Sequence, residues 1–300
     1  MSSSFSFRGT ATALVTPMLP NGDIDTEALQ RLVEFQIING VNGLVPCGTT
    51  GESATLSHPE HHHVMDIVAE QANGRVPIIV GAGSNSTREA ISLTQHARAI
   101  GANAVLSVAP YYNKPTQKGF FEHYKAIAEA VDIPVFVYNV PGRTGSNISA
   151  ETTLRLSELP GIAGIKEASG NIPQVMEILR HRPKNFSVLS GDDALTLPMI
   201  ALGGDGVISV VSNEVPAEFS RLVQLCLAGD FKLARTIHHR LLDLMNLNFI
   251  DSNPIPVKAA LSIMGMIHES YRLPLTPMSV EHKFLLRRAM EELSLVENIA

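Results

Sequence analysis

"IPVFVYNV" (133–140) and "IAGIKEA" (162–168) decide the fold. Each is apolar at nearly every position rather than at alternate ones. That pattern suits a strand covered on both faces, as in a parallel sheet. Working outward, six more runs of this kind appear: "TALVTP" (12–17), "VNGLVPCG" (41–48), "VPIIVGAG" (76–83), "NAVLSVAP" (103–110), "FSVLSGD" (186–192) and "GDGVISVV" (204–211). Between most of them lie segments of helical periodicity, such as "DTEALQRLVEFQIING", "STREAISLTQHARAIG" and "GFFEHYKAIAEAVD". Strand and helix alternating eight times predict an α/β fold, the (β/α)8 TIM barrel. An open doubly wound sheet fits less well, because no G-x-G-x-x-G follows the first strand.

Ser57-x-x-Glu60 and Ser86-x-x-Glu89 both read as capping boxes. Gly40 and Gly101 follow helical runs and suit C-terminal caps. After Val211 the strands stop. "PAEFSRLVQLCLAG" closes a barrel over 1–229, and three further helical segments make a C-terminal extension over 230–300. No long linker separates the two, so the extension is not read as an independent domain.

Hydrophobic residues make up 45% of the 300 and charged residues 17%, enough for a sizeable core. A formal net charge of -6 without a basic run argues against nucleic acid or an anionic membrane as partner. Two cysteines, Cys47 and Cys226, form no disulfide framework and fit a reducing compartment. The N-terminal stretch "MSSSFSFRGTATALVTP" has no basic n-region or long apolar h-region, and no segment is long enough for a membrane helix. The expectation is a cytoplasmic protein.

Active sites of such barrels lie at the C-terminal ends of the strands. Those ends here carry "CGTTGES", "GAGSNS", "PYYNKP", "YNVPGRTG", "KEASG" and "SGDD", which gather Thr49, Thr50, Tyr111, Tyr112, Tyr138, Arg143 and Lys166. Strand alternation sets Ile162, Gly164 and Lys166 on one face and Ala163, Ile165 and Glu167 on the other. With Ile165 against the helices, Lys166 points into the barrel, and the small Gly164 leaves room for a substrate.

An ordinary lysine of pKa about 10.4 is neutral in only about one molecule in several thousand at pH 7. Burial disfavours the ammonium form, and a neutral amine is a nucleophile for Schiff-base chemistry with a carbonyl substrate. The residue pattern alone leaves two roles open for Lys166, this one and a strand-end lysine that snorkels to solvent. Tyr138, on the inward parity of the preceding strand, favours the first, because a neighbouring tyrosine can move protons to and from a carbinolamine. "GTTGES" offers two hydroxyls and glycine-flanked N–H groups for a small carboxylate, and Arg143 suits a second one.

Other features carry less. "SHPEHHH" (57–63) places His58 and His62 at i,i+4 spacing, yet neither H-E-x-x-H nor a Cys/His cluster with ligand spacing is present. The histidines read as a polar first helical turn. Cys47 reads as a small buried hydrophobe. "GGDG" (203–206) lacks the lysine and serine of a phosphate loop.

"GTTGESATL", "PYYNKPTQ", "VYNVPGRTG", "GIKEASG" and "NPIPVKAAL" together closely resemble the dihydrodipicolinate synthase family of pyruvate-dependent class I aldolases. The wider group includes N-acetylneuraminate lyase and shares the lysine and the strand-five tyrosine. The resemblance spans essentially the whole chain. It implies that Lys166 forms a Schiff base with pyruvate, and that Thr49 and Tyr138 relay protons with a Tyr112 from a neighbouring subunit. It implies that Thr50 binds the pyruvate carboxylate and Arg143 that of L-aspartate 4-semialdehyde. Gly191 and Ile208 would contribute backbone groups near the lysine. No metal and no organic cofactor is implied.

In feedback-inhibited members of that family L-lysine binds at a tight-dimer interface. Ser53, Ala54, His58, His61, Asn85, Glu89 and Tyr111 stand where that site's residues stand, which predicts lysine inhibition. The family assembly is a homotetramer built as a dimer of dimers, and some members stop at dimers. Two other readings remain at this point: a pyruvate aldolase acting on a sugar acid, and a non-catalytic small-acid-binding paralogue.

Overall fold

The computed structural model describes residues 5–297. The first four residues of the N-terminal stretch, read above for targeting features, lie outside the described residues. Among the described residues eight strands occur: β1 (Gly9–Ala13), β2 (Gly43–Val45), β3 (Ile79–Gly81), β4 (Ala104–Val108), β5 (Val135–Asn139), β6 (Ile162–Glu167), β7 (Ser187–Ser190) and β8 (Gly206–Ser209). All the pairings between them are parallel, in the order β2-β1-β8-β7-β6-β5-β4-β3. The two ends of that order meet through a parallel Leu44–Ile78 bridge. Leu44 N–H donates to Pro77 O at 3.0 Å and Gly81 N–H to Pro46 O at 2.9 Å, so the sheet closes into a barrel without a free edge.

Helices α1 (Thr26–Ile38), α2 (His58–Ala72), α3 (Thr87–Ala99), α4 (Gln117–Ala130), the single turn α5 (Pro141–Thr144), α6 (Ala150–Ser157), α7 (Ile172–His181), α8 (Thr196–Ala201) and α9 (Pro216–Leu227) lie between or after the strands. The extension supplies α10 (Phe231–Leu247), α11 (Ile255–Ile263) and α12 (Val280–Glu292). Among the described residues no helix is long and apolar enough to cross a membrane.

Local signals account for most helix ends. Ser57 and Glu60 form the expected capping box at α2, and Asp25, Thr116, Ser149, Asn171, Asp230 and Ser279 each cap a helix through the side chain. Gly40 and Gly101 take positive φ just past α1 and α3, as their positions require. The second predicted box is absent. The Ser86 side chain makes no capping bond, and the reciprocal half is lost because Ser86 N–H donates to Ser84 Oγ at 3.0 Å while the Glu89 carboxylate is held by Ser84 Oγ and His58 Nε2.

Strand alternation sorts the core into layers. Val135, Val137, Ile165 and Val188 pack outward among helix residues such as Leu156, Val175 and Ile178. Phe136, Tyr138, Leu189 and Ile208 share the barrel interior with Phe7, which caps its N-terminal end. A third cluster joins barrel residues Val207, Phe219 and Leu222 to Leu241, Ala259 and Met290 of the extension. The extension therefore shares a core with the barrel.

One expectation about β6 needs correcting. The register between β5 and β6 shifts at Val135/Phe136, where Val135 pairs Ile162 but Phe136 pairs Gly164. The extra residue breaks the alternation. Ile162 joins the outer cluster and Ala163 the inner one, the reverse of strict parity. Beyond the shift the alternation resumes, with Ile165 outward. A Cβ at Gly164 would stand 2.6 Å from Phe136 Cε1 and 2.5 Å from Ser187 O, so its smallness makes room for a neighbouring ring and not for a substrate.

Candidate active site

Lys166 is 5% exposed and pairs in register with Tyr138 of β5 and Leu189 of β7. Its Nζ lies 4.3 Å from the centroid of the Tyr138 ring. The next residue, Glu167, turns the other way. Its carboxylate accepts from Ser169 N–H at 2.7 Å, Asn139 Nδ2 at 3.0 Å and Gln174 Nε2 at 3.1 Å. Those bonds pin the end of β6 from outside while Lys166 enters the barrel. Gly191, after β7, borders the lysine stem, since a Cβ there would lie 3.0 Å from Lys166 Cε. Its N–H is spent on Glu167 O at 2.8 Å, which leaves its carbonyl for the site. Ile208 shares the interior cluster with Tyr138.

The loop after β2 is tightly wound. Cys47 and Glu52 both have φ of 55°, and Thr16 Oγ1 donates to Gly51 O at 2.7 Å. The N–H groups of Gly51 and Ser53 go to Gly48 O, and that of Glu52 to Thr49 O. The glycine-flanked amides expected to cradle a carboxylate are thus partly consumed by the turn. Those of Thr49 and Thr50 have no partner among the described residues. Thr50 Oγ1 receives a hydrogen bond of 3.0 Å from Asn253 Nδ2, and Arg143 Nη2 donates to Asn253 O at 3.1 Å. Among the described residues no hydrogen bond joins Tyr138 to Thr49 or Tyr112. Tyr112 has φ of 68° and is 90% exposed, so it stands away from the barrel of its own chain.

A second group forms outside the barrel, across α2 and α3. His58 Nε2 lies 2.7 Å from Glu89 Oε1, and Ser84 Oγ donates to the same carboxylate. The Ser84 bond, ahead of His58, holds the Glu89 pKa below its usual value. Asn85 Nδ2 donates to Tyr111 O at 3.3 Å. His61 is buried with Nε2 2.8 Å from Gly81 O, and burial lowers its pKa. Ser53 and Ala54 lie in a 3-10 turn at Ser53–Thr55. His62 is not a plain solvated side chain, because it stacks on His96 with ring centroids 3.8 Å apart. His63 is exposed, as expected. The Cys47 thiol is buried and its pKa is pushed far up by burial, so it is no nucleophile at neutral pH.

Sequence reasoning missed the extension's part. Lys258 forms a fully buried ion pair with Glu52, and burial lowers the Lys258 pKa against the pull of that carboxylate. Arg272 donates to Thr55 O at 2.8 Å and to Glu60 Oε2 at 3.0 Å. A signal was present: Lys258 is the sole charged residue between 252 and 267. A cation in so apolar a helix needs a buried partner.

A closed (β/α)8 barrel that gathers polar side chains at the C-terminal ends of its strands is an enzyme scaffold, and Lys166 of β6 stands at that end. The model of the dihydrodipicolinate synthetase family matches residues 6–293, and the chain belongs to that family. It is 56% identical over 295 residues to the 4-hydroxy-tetrahydrodipicolinate synthase of Prosthecochloris aestuarii, covering 98% of this chain and 99% of the relative. A chloride-inhibited dihydrodipicolinate synthase from Acinetobacter baumannii, solved in complex with pyruvate, superimposes with a TM-score of 0.96 at 46% identity, covering 97% of this chain and 100% of that one. The Cyanidioschyzon merolae enzyme, solved with lysine bound, gives 0.94 at 42% identity, covering 97% and 99%.

Proposed function

We propose that this chain condenses pyruvate with L-aspartate 4-semialdehyde to 4-hydroxy-tetrahydrodipicolinate, in the diaminopimelate route to lysine. The observation that carries the reading is the buried Lys166 amine 4.3 Å from the Tyr138 ring centre at the barrel mouth. The Lys166 nitrogen adds to the pyruvate carbonyl, and loss of water gives an imine. The imine loses a methyl proton to become an enamine, with the protonated imine nitrogen as electron sink. The enamine carbon attacks the aldehyde carbon of the second substrate. That substrate's amine then attacks the imine carbon, closes the ring and releases Lys166.

Tyr138 moves protons at the carbinolamine, relayed by Thr49 and by Tyr112 of a neighbouring subunit; the 90% exposure of Tyr112 supports a role across an interface. Thr50, with the unpaired N–H groups of Thr49 and Thr50, takes the pyruvate carboxylate. Arg143 takes the carboxylate of the semialdehyde. Gly191 and Ile208 line the lysine with backbone groups.

The Ser53, Ala54, His58, His61, Asn85, Glu89 and Tyr111 group is read as an L-lysine site. Glu89 supplies a carboxylate for an amine, and the lysine-bound relative supports the reading. Barrel 1–229 and extension 230–300 act as one cytoplasmic unit within a homotetramer. Borohydride reduction in the presence of pyruvate tests the covalent step by trapping an adduct on Lys166. Saturating L-lysine tests the second site: unchanged turnover removes the inhibitory role.

A further inference from the structure

We infer that Asn253, in the extension between α10 and α11, is a positioning residue that ties the two carboxylate-binding groups, Thr50 and Arg143, to one point. The inference rests on the roles given to those two residues above. Asn253 reaches Thr50 Oγ1 with its side-chain amide, at 3.0 Å, and Arg143 Nη2 with its main-chain carbonyl, at 3.1 Å. Asn253 is 5% exposed and Thr50 2%, so bulk water competes weakly for the first bond. An amide nitrogen only donates, and a hydroxyl has one proton and two acceptor sites. With Asn253 occupying an acceptor site, the Thr50 proton is left to donate, which is what a carboxylate requires.

Asn253 is itself held by its surroundings. It lies just ahead of α11, and Lys258, within that helix, is locked to Glu52 in the same loop as Thr50. Arg272 fastens that loop again through Thr55 O, and Tyr271 OH donates to Ile255 O at 3.0 Å. Among the described residues the extension therefore grips the loop at three places, and of these the Asn253 contact reaches a predicted substrate binder directly.

The two contacts differ in kind, and the difference makes the test. Asn253→Leu keeps the shape and the main-chain carbonyl but removes the bond to Thr50. The pyruvate concentration that half-saturates borohydride trapping is expected to rise about fivefold to tenfold, the weight of one hydrogen bond. KM for the semialdehyde, set through Arg143, is expected to move less than threefold. In a Thr50→Val background the same change is expected to cost less than twofold, since the partner is gone.

Equal increases for both substrates, or full additivity with Thr50→Val, would overturn the inference. Should Asn253→Leu fail to fold, Asn253→Asp is the second variant. Its carboxylate takes the Thr50 proton, and half-saturation is expected to rise at least tenfold; an unchanged value again overturns the inference. Absence of any adduct in the unaltered chain is a different failure, that of the Schiff-base reading itself.

Discussion

Gly191 lies directly against Lys166. A Cβ at position 191 would stand 3.0 Å from Lys166 Cε, 3.1 Å from its Cγ and 2.6 Å from Ala168 Cβ. The lysine stem can yield, but the alanine methyl is fixed to the backbone. Gly191→Ala is therefore expected to fold with a loss of about 1–3 kcal/mol from overpacking. Its main effect falls on chemistry, because a displaced Nζ loses its geometry, and a shift of about 1 Å can cost about a hundredfold in rate. Turnover is expected to fall at least tenfold, measured beside denaturant unfolding. Unchanged turnover would contradict the packing account of this glycine.

The Lys258–Glu52 pair has both side chains at 0% exposure. Lys258→Met strands a buried carboxylate and is expected to cost about 3–5 kcal/mol in denaturant unfolding. Adding Glu52→Gln removes the stranded charge and is expected to restore much of that loss. A single-variant cost under about 1 kcal/mol would mean the pair does not hold the loop.

His123 gives the fold a pH dependence. Burial pushes its pKa down to about 4, with Nδ1 2.9 Å from Thr87 Oγ1 and Nε2 buried without a partner among the described residues. In the unfolded chain the imidazole titrates near about 6.5. Between those values the unfolded chain binds a proton that the folded chain does not, so stability declines as pH falls from about 6.5 towards about 4. His123→Gln cannot titrate and is expected to flatten that part of the profile. Parallel melting-temperature curves for the two proteins would contradict it.

Much of this is legible in the sequence. Runs apolar at every position reported strands buried on both faces, and their eightfold recurrence reported the barrel. Lys166 came out inward because alternation resumes after the register shift. Ile162 and Ala163 came out on the wrong faces because a one-residue shift between paired strands leaves no mark in hydrophobicity. The Ser86–Glu89 box does not form: Ser84 Oγ stands between its two halves, taking the Ser86 N–H and donating to the Glu89 carboxylate, and spacing alone does not reveal that. Asn253 was invisible for a related reason: it lies 203 residues from Thr50, and neither side chain is unusual alone.

The central claim is that Lys166 forms the covalent link to pyruvate. The most direct measurement is mass spectrometry of peptides after borohydride reduction with pyruvate, on the unaltered chain and on Lys166→Ala. The account predicts one reduced pyruvyl adduct, on Lys166, and none in the variant. An unmodified Lys166, or an adduct that persists in Lys166→Ala, would contradict it.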